Sequence, residues 1–186
     1  MAGIVVDGML ITLTAYAQLS LKWSAIEFGL VTTVMTVTSI VGGMCAQRIV
    51  RRIRLRNLAA LGMGLLAVAC LSLAAISSTG LDWLLVPALF VFGAGLGGAM
   101  VGSQISALTG VLETQSGVAS GLFDTSFSIG SALGVAICSS VAVASGNLTP
   151  ANPMSGAALA FAVAATLAAS GIPVSLTLLR ERSKRA

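Results

Sequence analysis

Apolar residues run along this chain in blocks long enough to cross a bilayer, and polar residues gather at the breaks between them. A helix needs about 20 apolar residues to span the hydrocarbon core. Windows of that length predict six helices, over residues 3–19, 28–46, 58–76, 83–103, 118–143 and 156–179, forming one transmembrane domain over 1–186. The breaks read KWSAIEFG, RIVRRIRLRN, SSTGLD, LETQSG and SGNLTPANPMSG, and in the last of these Pro150 and Pro153 end the fifth helix and delay the sixth. The first block differs from a signal peptide in lacking a positively charged start and in carrying Asp7 within its apolar run, so a retained first helix is expected.

Composition agrees with lipid as the solvent. Of the residues, 56% are hydrophobic and 9% charged, and the mean hydropathy is +1.01. A water-soluble fold needs far more polar surface than that. The net charge of +4 does not indicate a nucleic-acid partner, because the basic residues form two clusters between apolar runs and cover no recognition face. Arg48, Arg51, Arg52, Arg54 and Arg56 make one cluster; Arg180, Arg182, Lys184 and Arg185, in the basic tail over 180–186, make the other. Lys22 stands apart. Cytoplasmic loops are enriched in Lys and Arg, and six spans place both clusters on one side, so both termini are expected in the cytoplasm.

Several stretches within the spans carry packing or chemical information. In VFGAGLGGAMVGS, Gly93 and Gly97, and again Gly98 and Gly102, recur four residues apart, a spacing that lets helix backbones approach closely in lipid. A nucleotide-binding glycine loop would need a preceding strand, which the apolar block excludes. In SGVASGLFDTSFSIGSALGVA, residues 116–136, Gly117, Gly121, Asp124, Ser128 and Ser131 share roughly one helical face. Gly130 and Gly134 add a second pair at packing spacing. A carboxylate inside a span is costly against lipid, so Asp124 should face a partner helix or a water-filled cavity. It either exchanges a proton or meets a cationic substrate, or it hydrogen-bonds a neighbouring helix as an asparagine would.

Asp7 is the other intramembrane acid, and Thr14 and Gln18 extend a polar stripe from it along the first helix. Thr32, Thr36, Ser39 and Gly43 make a similar stripe on the second. Such stripes either line a cavity or consist of hydroxyls bonded back to their own helix. Asp124, Asp7, Gln18, Thr14, Thr36 and Gln104 are thus the candidates for a substrate or proton pathway. The cysteines Cys45, Cys70 and Cys138 lack the paired spacings of metal sites or disulfide frameworks. With no histidine, no ligand cluster and no nucleophile beside a base, neither an enzyme, a metal nor a cofactor is expected.

Taken together these stretches resemble the last six helices of the major facilitator superfamily, specifically the drug:proton antiporter branch with fourteen helices, the EmrB/QacA type. YAQLSLKWSAIEFGL, residues 16–30, resembles a family helix ending in Tyr-x-Gln with the next beginning after a Ser-x-x-x-x-Gly-Leu turn. The exit from helix two resembles the superfamily loop G-x-x-x-D-R-x-G-R-R at Gly43, Arg48, Arg51 and Arg52, with Gln47 and Val50 replacing its acid and second glycine. The stretch from Gly117 resembles A-G-x-A-S-G-L-x-N-T-x-R-Q-x-G-x-x-x-G-x-A, although Asp124 replaces the asparagine and Phe127 and Ser128 replace the Arg-Gln pair.

The resemblance implies an all-α transmembrane six-helix bundle, the C-terminal half of a transporter that rocks two bundles about a midplane site. It further implies proton-coupled efflux of drugs or other small molecules and location in a bacterial inner membrane. It also implies dependence on a second six-helix half, separate or supplied by a homodimer. The rival expectation is a truncated remnant, or a structural or regulatory membrane subunit that binds other helices through its glycine faces.

Overall fold

The computed structural model describes residues 1–50, 55–79, 82–109, 111–144 and 153–182. The expectations for Arg51, Arg52 and the end of the tail, 183–186, lie outside them. The chain is an all-α transmembrane bundle of six helices: α1 Ala2–Ala15, α2 Ala25–Ile49, α3 Leu55–Thr79, α4 Leu85–Leu108, α5 Ser116–Ala144 and α6 Pro153–Arg182. Five of them are long and apolar enough to cross a membrane, whereas the apolar stretch containing α1 covers only Ala2–Gln18.

Local chemistry sets where the helices begin. Ser24 and Glu27 form a reciprocal capping box, in which each side chain accepts from the other residue's backbone N–H. Two orphan amides are satisfied that way, so α2 starts at Ala25, three residues before the apolar block. Single 3-10 turns, Asp82–Leu84 and Glu113–Gln115, lead into α4 and α5. Pro153 opens α6, a position where its missing N–H costs nothing. α1 ends differently. Its last turn widens into a π-helical segment, Tyr16–Ser20, followed by Lys22 at a positive φ of 54°.

Glycines bring the helices together. α2 runs parallel to α4, with Met35 beside Gly93 and with Ser39, Gly42 and Gly43 beside Gly97. A methyl group added at Gly97 would stand 2.5 Å from the Gly43 nitrogen, so the two backbones touch with nothing between them. The other side of α4 meets α3 in the antiparallel sense. Gly95 packs against Leu65 and Leu66, Ala99 lies against Gly62, and Gly102 meets Ala59. Gly98, also on this side, is at ordinary contact distance, 3.7 Å, from the Gly62 Cα. α1 runs parallel to α5, where Gly3 meets Phe127, Ile4 meets Gly130 and Gly134, and Gly8 meets Gly134 and Cys138.

α3 and α6 pack extensively on each other and back the bundle, α3 against α4 and α6 against α1. The parallel pairs α1 with α5 and α4 with α2 are therefore equivalent under a rotation that carries the first three helices onto the last three. The six helices thus form an internal repeat of two three-helix units. The core sits between α1, α3, α4 and α6, around Met9, Leu13, Leu66, Leu73, Leu89, Phe92 and Phe161. α2 and α5 lie at the flanks, and most of their surface is uncovered. On α3 the exposed residues Leu61, Leu65, Val68 and Leu71 form an apolar stripe suited to lipid.

The two glycine pairs of α5 differ. No described atom lies within 4 Å of where a Cβ would stand at Gly117 or Gly121, whereas at Gly134 it would stand 2.7 Å from the Ile4 Cα. Substitution therefore separates them. Gly97→Ala and Gly134→Ala are each expected to destabilise the bundle by about 1–3 kcal/mol through overpacking. Gly117→Ala and Gly121→Ala should be neutral or stabilising by up to about 1 kcal/mol, from helix propensity alone. The midpoint of helicity loss during titration with sodium dodecyl sulfate measures the difference.

Candidate functional site

The first polar feature lies between α1 and α5. Asp7, half-buried, accepts a hydrogen bond through Oδ2 from the Ser131 hydroxyl. The glycine contacts on either side, Gly3 with Phe127 and Gly8 with Gly134, bring the two backbones close enough for these short side chains to meet. Ser131 gives the intramembrane acid a donor that lipid cannot provide.

The second feature is a pocket of about 200 Å³ between the end of α4 and the beginning of α5. It is lined by Gln104, Ala107, Leu108, Ser120, Phe123 and Asp124. Gln104 and Asp124 are thus brought together here, both with exposed side chains. Asp124 lies seven residues, or roughly 10 Å along the helix, from Ser131, so the two acids belong to different environments. The pocket joins a carboxylate, an amide, a hydroxyl and an aromatic ring to an apolar wall, a set able to hold a small polar or cationic group beside a hydrophobic body.

Gly117, Gly121, Asp124 and Ser128 all lie on exposed surface. At about 100° per residue, Gly117 and Gly121 point roughly 140° away from Gly130 and Gly134. α1 reaches α5 only from about Phe127 onward, where Gly3 meets it, and Gly117 and Gly121 lie before that stretch with no described atom within 4 Å of their Cβ positions. Gly117 and Gly121, expected to pack a helix, meet no helix inside this bundle, because they precede the stretch of α5 that α1 covers.

The other candidates remain apart from these two features. The Thr14 hydroxyl donates to the Leu10 carbonyl at 2.8 Å and that of Thr36 to the Thr32 carbonyl at 3.0 Å. Thr12, Thr32, Thr33 and Thr38 also bond back to their own helices. The polar stripes of α1 and α2 thus consist mainly of self-satisfied hydroxyls. Gln18 is exposed within the π-helical segment. Gly43 is buried against α4, and Arg48 is exposed at the end of α2. No group of three or more metal-ligating side chains occurs among the described residues.

Two features escaped the reading of the sequence. The Asp7–Ser131 bond joins residues 124 positions apart, and no local pattern announces it. The capping box was legible as Ser24-x-x-Glu27, the standard signature of a helix start, within a stretch read only as a break.

The chain matches a family model described as Major Facilitator Superfamily over residues 1–135. A comparison with curated proteins gave no match.

The α1–α5 hydrogen bond can be measured directly. A double-mutant cycle with Asp7→Ala and Ser131→Ala should give a coupling of about 0.6 kcal/mol and at most about 1.7, the range of polar contacts between membrane helices. Unfolding in mixed micelles provides the four stabilities.

Proposed function

The chain belongs to the Major Facilitator Superfamily, a family of membrane transporters, and from that premise we propose that it is one six-helix half of a small-molecule exporter. In this reading it works against a second half, either a separate six-helix chain or a second copy of itself. Proton entry drives export across a bacterial plasma membrane, and both termini face the cytoplasm. The drug:proton antiporter branch is the best assignment within the family, supported by the long motif from Gly117 to Ala136.

The observation that carries this reading is the open face of α5. Asp124, Ser128, Gly117 and Gly121 are exposed on a helix that crosses the membrane, and lipid satisfies neither a carboxylate nor a groove of glycines. A facing bundle would satisfy both. It would also turn the shallow Gln104–Asp124 pocket into part of a cavity enclosed between two walls. Rocking of the halves would then expose that cavity to each side in turn. The two basic clusters, Arg48 to Arg56 and Arg180 to Arg185, support the orientation, since they hold nine of the ten Lys and Arg residues.

Co-expression with a second six-helix half tests the proposal. Efflux of a fluorescent dye under an imposed proton gradient is expected only when both are present. A Gly121→Cys variant should react with a maleimide in the isolated chain and be protected in the pair. Asp124→Asn should slow efflux about tenfold, equivalent to about 1.4 kcal/mol on the barrier. Undiminished efflux that still follows pH would make Asp124 a packing residue, and unchanged labelling of Gly121→Cys in the pair would remove the facing wall.

A further inference from the structure

Two charges of opposite sign stand on the two uncovered flanks of the bundle. Asp124 is the one charged residue of α5. Arg48 is the one base of α2, whose acid, Glu27, lies at the other end of the helix. Both are exposed, and no described side chain pairs with either.

The packing of α4 places the two charges at one depth. Thr38 lies against Gly93, and Gly43 against Gly97 and Val101. Because α2 is parallel to α4, Arg48 is level with the stretch around Gln104, and Gln104 lines one pocket with Asp124. The two residues therefore occupy the same layer of the membrane on opposite edges of the bundle. α2 packs on α4, α5 packs on α1, and α3 with α6 closes the back.

The flanking surfaces next to the charges differ in bulk. On α2, Val37, Val41 and Met44 share a face with Arg48 at helical spacing, and all three are exposed. That face turns away from Gly43 and Ala46, which are buried. On α5, the exposed residues beyond Asp124 include Thr125, Ser128 and Ala132, small side chains of the kind that let helices approach in lipid.

We propose that the chain pairs with a second copy of itself about a two-fold axis normal to the membrane, with Arg48 of each copy bonded to Asp124 of the other. Such an axis sets α2 of one copy against α5 of the other and leaves every residue at its own depth, so the contact is made twice. α2 and α5 then run antiparallel, and Met44 and Val41 lie against Ser128 and Ala132. The guanidinium fork offers a carboxylate two N–H donors, which lipid cannot. The pairing rests on the reading of the chain as one half that works against another. An unrelated half would have to supply a base at the depth of Asp124, and a second copy already carries one.

Charge exchange tests it on the full chain in liposomes, with donor and acceptor fluorescent proteins fused to the C-termini of separate preparations. Unsubstituted copies should show energy transfer that rises with the protein-to-lipid ratio. Arg48→Glu alone should abolish it, because each contact becomes two acids, and Asp124→Lys alone should do the same with two bases. Mixing these two variants should restore it, since both contacts of the mixed pair again join a base to an acid. Asp124→Asn should weaken self-association about tenfold, the effect of one polar helix contact made twice. Unchanged helicity by circular dichroism verifies that each variant is folded. Monomers at every protein-to-lipid ratio, or no recovery of transfer on mixing, would overturn the self-pair. Efflux by a monomeric chain together with a separate six-helix half would overturn the self-pair and leave the exporter reading intact, whereas a charge-dependent pair that moves no dye would do the reverse.

Discussion

In hydrocarbon, helices gain nothing by hiding apolar side chains from the solvent, so they stay together only where their backbones come close enough for dispersion and weak polar contacts. In this bundle α4 carries most of that constraint. Its Gly93 and Gly97 admit the backbone of α2 on one side, and Gly95, Gly98 and Gly102 admit α3 on another. One helix thereby aligns a parallel neighbour and an antiparallel one. The contacts of α1 with α5 repeat the parallel arrangement in the other half of the repeat, and the large faces of α3 and α6 join the two. A side chain at any of the tightest glycines would separate backbones that now touch.

Close approach also determines where polar chemistry can exist. Most hydroxyls in the spans return to carbonyls on their own helices, which removes them as links between helices. Asp7 and Ser131, by contrast, join two helices. They meet because Gly3, Gly8 and Gly134 leave no bulk between α1 and α5. The same geometry leaves Asp124 outside. At its level α5 has moved past the start of α1, and its neighbour is the end of α4, which contributes Gln104 and an apolar wall.

The helices were legible in the sequence because bilayer thickness sets a minimum apolar length, which five of the six meet, and polar residues collect where they stop. The glycine spacing was legible as well, but spacing describes a groove and not what fills it. Gly97 and Gly121 each belong to a pair four residues apart; one is pressed against a backbone and the other faces open space. Telling Gly121 from Gly134 requires knowing that α1 begins opposite Phe127 and so lies over the latter only. The Asp7–Ser131 bond was out of reach for the same reason, since it depends on which helices are neighbours. The start of α2 at Ala25 was within reach, through Ser24 and Glu27, because capping is local.

The repeat gives the bundle two equivalent flanking helices whose surfaces differ in chemistry. A rotation that exchanges α1 with α4 and α2 with α5 places the α1–α2 and α4–α5 junctions at opposite ends of the bundle. The flanking helices α2 and α5 are equivalent in the same way, and both leave most of their length uncovered. Lipid satisfies the apolar parts of those flanks, such as Ile40, Val41 and Met44 on α2. It does not satisfy Asp124 or the adjoining glycines of α5. The part of the flanks that lipid leaves unsatisfied is thus set by polar and small residues and not by apolar exposure.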